Sequence, residues 1–213
     1  VDQTTTNKYK NILARYLNAD AVDDVFDFMN RHCVDLHITR DRRSKLGDYR
    51  WPQQGYPRHA ISINGSLNPY MFLLVMLHEQ AHLLTFLQYK NSIQPHGHEW
   101  QDNYRRLLRQ YAEKGCFPKE CLSKLKRYTM QLPLYGPAGK ELETILHHYD
   151  KNYTSENSLT LNDLPLGSQF RIKDKPEMLF VSNEKLRTRY RCVEMHSGMP
   201  FLVSGNAQVL KEE

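Results

Sequence analysis

Residues 68–88 read NPYMFLLVMLHEQAHLLTFLQ, and the way this stretch folds decides the rest of the reading. Asn68 before Pro69 is a helix-start signal: an Asn side chain accepts from the orphan amides of a first turn, and a proline there gives up no bond. The pattern predicts a helix from that point to about Gln88. Phe72–Leu77 and Leu83–Leu87 are apolar almost all round, as in a helix buried on most faces. Inside it stands the H-E-x-x-H pentapeptide His78-Glu79-Gln80-Ala81-His82. Helical residues i and i+4 project from one face, roughly 5–6 Å apart, so both imidazoles reach one ion. Three ionisable groups in an otherwise apolar helix are costly to bury unless something ties them together, and a metal does that. Hydrogen bonds to backbone and an arginine partner for Glu79 are the alternative, and they offset less of that cost.

Such a site favours zinc. A zinc-bound water has a pKa of about 7; Glu79 takes its proton as catalytic base and passes it to the leaving amine after attack on a polarised carbonyl. A catalytic zinc needs a third protein ligand. The extended metzincin pattern would require glycine at Thr85 and histidine at Gln88, so it is excluded. In Pro95-His96-Gly97-His98-Glu99-Trp100 the candidates are His96, His98 and Glu99, with Gly97 permitting a tight approach.

Working outward, Tyr9–Leu17 and Ala21–Met29 read as short amphipathic helices, the second capped by Asp20. Val34–Thr39, Gly47–Trp51 and His59–Ile63 read as three strands separated by Pro52, Gly55 and Pro57. Glu99–Ala112, Pro118–Tyr128 and Lys140–Tyr149 have helical periodicity. Residues 151–163 are rich in Asn, Ser and Thr and read as a linker. Beyond them, Gly167–Lys173, Met178–Asn183, Arg187–Met195, Met199–Ser204 and Ala207–Leu210 suggest a small antiparallel sheet or half-barrel.

Composition bounds the function classes. The 213 residues suit one domain and a small appendage, and 40% hydrophobic with 25% charged residues excludes wholesale disorder. The longest apolar run, Tyr70–Leu77, falls short of the roughly 18–20 residues that span a bilayer, and Val1–Lys10 has no apolar h-region. Membrane association is not expected. Cys33, Cys116, Cys121 and Cys192 form neither a zinc-ribbon spacing nor a dense disulfide framework, which favours a cytoplasmic setting. Of the net charge of +5, an equal excess falls within residues 101–127, where eight Lys or Arg face three Asp or Glu. Basic runs are most often solvated helix faces, yet they also attract nucleic acid. Arg105 and Arg109 there, with Arg187, Arg189 and Arg191 on a later strand beside Tyr190, are the candidate nucleic-acid contacts.

His78-Glu79-Gln80-Ala81-His82 followed by His96-Gly97-His98-Glu99-Trp100 resembles the SprT-like metallopeptidase family, which includes the Spartan proteases. In that family an H-E-x-x-H helix precedes an H-G-x-E-[FW] segment. Ile38-Thr39-Arg40, Gly47-Asp48-Tyr49-Arg50 and Ile61-Ser62-Ile63-Asn64 resemble its three-stranded sheet. The likeness covers roughly Tyr9–Tyr111 and implies His78, His82 and His96 as ligands of one catalytic Zn2+, with Glu79 as the base. It departs from the family's zinc ribbon, since only Cys192 remains near the C-terminus. The implied fold is α+β: a minimal zincin-like catalytic domain of helices on a three-stranded sheet (residues 1–150), a linker (151–163) and a small antiparallel β-module (164–213), either a ribbon without its metal or an unrelated unit. The implied function is a zinc metallopeptidase acting on protein or peptide, with DNA-associated proteins among the family's substrates. The rival readings are a nucleic-acid-binding module with a structural zinc, and hydrolysis of a non-peptide amide or ester. Tyr104, Tyr49 and Arg50 are oxyanion candidates by type alone.

Overall fold

The computed structural model describes residues 3–42, 45–132, 137–150, 159–173, 175–205 and 207–212. Helices α1 (Gln3–Leu13) and α2 (Ala19–Arg31) precede strands β1 (Val34–Thr39), β2 (Gly47–Arg50) and β3 (His59–Asn64). Helices α3 (Pro69–Tyr89), α4 (His98–Glu113), α5 (Leu122–Met130) and α6 (Pro137–Leu146) follow. These elements make up the first of two units, Val1–Asp150; the second is Lys151–Glu213. The architecture is α+β, as the sequence implies.

Helix α3 is the axis of the first unit. Asn68 Oδ1 accepts from the backbone N–H of Tyr70 (3.1 Å) and of Met71 (3.0 Å), and Pro69 opens the first turn. Phe72, Leu73, Met76, Leu77 and Leu83 are fully buried, packing in one core with Val25, Ile61, Ile63 and Leu108. By length and composition α3 is sufficient to cross a membrane, but 67% of its apolar window is buried within the protein, which makes it a core helix. The sheet beside it has the order β1-β3-β2, with β3 parallel to β1 and antiparallel to β2. Central β3 therefore brings its buried residues to the core, while β2 is an edge strand lying against α3.

Some boundaries differ from the sequence reading for local reasons. Residues 14–17 leave the helix before the expected end of α1, and Asn18 in extended conformation caps α2 in place of Asp20. Its Oδ1 accepts from Ala21 N at 3.1 Å while its amide donates to the Cys116 carbonyl. The expected helix from Pro118 opens as a 3-10 turn, Lys119–Cys121, and α6 closes into another, His147–Tyr149.

In the second unit, strands β4 (Gln169–Ile172), β5 (Lys175–Lys185), β6 (Arg189–Glu194), β7 (Pro200–Ser204) and β8 (Val209–Lys211) pair antiparallel in the order β7-β6-β5-β4-β8. Leu161, Phe170, Phe180, Tyr190, Cys192 and Val209 form its own core. Of the expected linker, residues 151–158 lie outside the described residues, and Leu161 already belongs to this core through a capped 3-10 turn at Leu161–Asp163. Arg189 and Arg191 share the exposed face of β6 as alternation requires. Arg187 does not join them on the strand, because the β5–β6 turn closes between Leu186 N and Arg189 O at 2.7 Å.

Asn68 also donates to the Leu146 carbonyl (2.9 Å) and to Asp150 Oδ1 (2.6 Å), tying the start of α3 to the end of α6. Asn68→Ala removes a cap worth about 1 kcal/mol and strands a buried carbonyl at a further cost of roughly 1–3 kcal/mol. Urea denaturation should show a loss on the order of 2–4 kcal/mol; a loss below about 0.5 kcal/mol would mean that water replaces the cap.

Candidate metal centre

One turn of α3 places His78 and His82 side by side, and the chain returns through residues 90–97 to bring His96 over them. The three Nε2 atoms form a nearly equilateral triangle: His78–His82 3.1 Å, His82–His96 3.1 Å and His78–His96 3.2 Å. Hydrogen bonds alone cannot account for it. A neutral imidazole nitrogen either donates one proton or offers one lone pair, so three mutually close nitrogens cannot all be bonded to one another. A tetrahedral zinc with Zn–N distances of about 2.0–2.1 Å spaces its ligands roughly 3.3 Å apart, close to the observed triangle. Burial, reinforced by the neighbouring imidazoles, holds His78 down to about 2 and His82 to about 4, and burial lowers His96 as well. All three therefore keep lone pairs at neutral pH, as metal binding requires.

His96 reaches the cluster in a left-handed conformation, φ +59°, uncommon for a non-glycine residue. Its carbonyl accepts from Gln101 Nε2 at 3.0 Å, and the turn closes with Gly97 N donating to Gln94 O at 3.0 Å. A Cβ on Gly97 would sit 3.0 Å from the Gln94 carbonyl oxygen and 3.3 Å from Glu99 Oε2, which is why the position takes no side chain. Trp100, buried in α4, forms the floor: its ring centroid lies 4.7 Å from that of His78, 5.3 Å from His82 and 4.6 Å from His96. Among the described residues the cluster comprises His78, His82 and His96. His98 is exposed at the start of α4, and neither it nor Glu99 joins the three.

Glu79 is 5% exposed and faces β2. Its carboxyl accepts from the backbone N–H of Tyr49, and a Cβ at Gly47 would lie 2.6 Å from its Oε1 and 2.5 Å from Val75 Cγ1. Gly47 is therefore an unannounced part of the site; the available signal was a glycine opening a strand, where glycine is disfavoured unless something approaches closely. Arg42 sets the register of the segment that delivers it. Its guanidinium donates to Asn64 Oδ1 (3.0 Å), Ser62 Oγ (2.9 Å) and the carbonyls of Ser62 and Leu46. Burial and the neighbouring Asp48 push the Glu79 carboxyl up to about 8, against the opposing pull of Lys45, Arg42 and the Tyr49 amide.

The side chains considered as oxyanion donors are engaged elsewhere. Tyr104 is fully buried and donates to the Leu74 carbonyl at 3.3 Å; the Tyr49 hydroxyl meets His59 Nδ1 at 2.9 Å; Arg50 lies over the Tyr56 ring at 5.6 Å. Half of the basic run is paired with carboxylates in place. Arg105 bonds Asp102 (3.0 Å), Gln101 and the Thr129 carbonyl, Lys114 pairs with Asp24 (2.5 Å), and Lys124 and Arg127 share Glu141 (3.3 and 2.9 Å). Arg109 is exposed on α4; in the second unit Arg187 and Arg189 are exposed, and Arg191 pairs with Glu184 at 3.0 Å.

The raised Glu79 carboxyl has a thermodynamic consequence. Between about 4.5 and about 8 the metal-free folded state holds a proton that the unfolded chain has lost, so stability falls as pH rises through that window. Glu79→Gln lacks this dependence, and the three histidines contribute equally to both proteins. With a chelator present, the melting temperatures should nearly coincide at pH 5, with the variant higher by roughly 10–20 °C at pH 8.5. A gap that does not change with pH would show that the carboxyl ionises freely.

No curated protein and no solved structure matches the chain. The SprT-like family profile matches residues 14–121, just over half of the chain, a segment that contains the three histidines, Glu79 and the whole three-stranded sheet. The chain belongs to the SprT-like family.

Proposed function

We propose that this protein is a zinc-dependent metallopeptidase in which His78, His82 and His96 hold one zinc ion and Glu79 is the general base. The observation that carries the reading is the convergence of three neutral imidazole nitrogens at 3.1–3.2 Å beside a buried Glu79 carboxyl on the helix that carries two of them. Three protein ligands, as opposed to a closed set of four, are the arrangement of a catalytic zinc site, and this favours the enzyme over a binding module with a structural zinc.

Zinc in such a site acts as a Lewis acid, acidifying water and polarising the carbonyl under attack. Glu79 takes the proton of the attacking water and delivers it to the departing amine. Alone, burial keeps its carboxyl protonated to about 8; with a dication held by the adjacent imidazoles its proton affinity would fall, leaving a carboxylate at neutral pH. The Tyr49 amide orients it, and Gly47 leaves it room. Trp100 covers one side of the imidazoles and excludes water there. The substrate on this reading is a protein or peptide, and the setting cytoplasmic. A DNA-bound substrate gains little support, because half of the basic run is already paired with carboxylates.

Metal content and cleavage of an unstructured protein, with and without DNA, test the assignment. Wild type should bind one zinc and cleave. Glu79→Gln should keep the zinc and lose cleavage by roughly 100- to 10,000-fold, and His96→Ala should lose more than about 100-fold in zinc affinity. Full zinc occupancy with no cleavage under any condition would sink the enzyme reading. Gly47→Ala should retain zinc yet cleave about 100-fold more slowly, because its methyl displaces Glu79; activity within twofold of wild type would show that the carboxylate accommodates it.

A further inference from the structure

A cleft of about 410 Å³ opens beside the centre. His78 and Glu79 line it while His82 and His96 do not, so it lies to the Glu79 side of the imidazole cluster. Away from His78 and Glu79 its interior is mainly apolar: Met71, Leu74 and Val75 come from α3, the Tyr128 ring from α5 and Leu142 from α6. Tyr104 adds a ring whose hydroxyl is already spent on the Leu74 carbonyl. Charges stay near the mouth, where Lys45, Lys140 and Glu143 are exposed. A charged or strongly polar side chain entering the interior would lose most of its hydration for few partners beyond the groups of the site itself, whereas a large apolar one would bury its surface.

The direction of the chemistry fixes which substrate residue enters. Glu79 protonates the departing amine, so the residue that supplies that amine lies on Glu79's side of the cut, where the cleft is. One wall of the cleft comes from α6, beyond the segment 14–121 that the family profile covers. We propose that this cleft is a specificity pocket for a large apolar side chain (Leu, Met or Phe) immediately C-terminal to the scissile bond, and that α6 sets its size. The assignment rests on the peptidase reading above.

Gly139 offers a clean perturbation: it is half-buried in α6, lines the cleft, and its replacement by leucine removes no core side chain and improves helix propensity. Leu142→Ala perturbs the pocket in the opposite sense, with thermal melting to show that it folds. Peptides varied at the position after the cut are cleaved by zinc-loaded protein and the products mapped by mass spectrometry. Wild type should cut before Leu, Met or Phe at least about tenfold faster than before Ala or Asp. Gly139→Leu should lower the Leu-to-Ala ratio by about tenfold, and Leu142→Ala should shift the preference toward Trp. In parallel, fluorescence anisotropy follows labelled Leu and Ala peptides binding to zinc-loaded Glu79→Gln protein, with and without Gly139→Leu.

Cleavage without preference at that position, or a preference unmoved by both variants, overturns the pocket and leaves the peptidase intact. Absence of all cleavage overturns the peptidase reading. The pocket is then judged on binding alone, where discrimination of Leu over Ala that Gly139→Leu abolishes supports it and equal binding overturns it.

Discussion

Two imidazoles and a carboxyl group stand on a helix that is otherwise apolar, a third imidazole is folded over them, and much of the first unit is organised around the cost of having them there. Burial keeps the imidazoles neutral and the carboxyl protonated in the metal-free state, so no net charge is trapped in the core. Surrounding elements then fix directions. Asn68 anchors the start of α3, β2 supplies an amide and an absent side chain beside Glu79, and α4 presents Trp100 beneath the rings. His96 completes the triangle from a backbone conformation that costs on the order of 1 kcal/mol or more in a non-glycine residue. Such an outlier at the point where three ligands converge fits a position held for chemistry.

Much of this was legible in the sequence, wherever a feature depends on near neighbours. The Asn68-Pro69 start, the i, i+4 histidines and the amphipathic face of α4 follow from helical spacing, and two strands of the small sheet, β1 and β3, show in the alternation of their own residues, while β2 reads only as a short aromatic run. What the chain alone concealed were long-range relations. Parallel pairing of β1 with β3, with β2 placed on the outside, is a matter of crossover. Arg42 could not be read as the clamp between β3 and the approach to β2, since its partners Ser62 and Asn64 are 20 and 22 residues away. Gly47 read only as the opening residue of a strand, and its close approach to Glu79 shows only in the fold. The choice among His96, His98 and Glu99 also needed the family resemblance, because spacing alone left all three within reach.

The second unit shows the same limit from another side. Its five strands form a meander with β8 returning to pair with β4, and alternation along β6 puts Tyr190 and Cys192 inward while Arg189 and Arg191 face solvent. Composition had suggested those arginines, and Arg105 and Arg109 of the first unit, as a cationic surface. Charge counted along a sequence does not report where carboxylates fold back. Asp24 and Glu141 come from outside the basic stretch to meet Lys114, Lys124 and Arg127, so the local excess of +5 in the sequence falls by two on the folded surface.

The floor of the metal centre carries a further implication. Of the two tryptophans, Trp51 is 43% exposed and stacked on Phe86, whereas Trp100 is 1% exposed and touches all three candidate ligands. Their emission should separate by wavelength, with the buried indole at the blue edge. A coloured ion such as Co2+ or Cu2+ substituted on those imidazoles would quench Trp100 by energy transfer from direct contact, whereas d10 Zn2+ has no absorption band to do so. Trp100 is thus a built-in optical reporter of a coloured ion taking the zinc position, one that needs neither a substrate nor a label to be read.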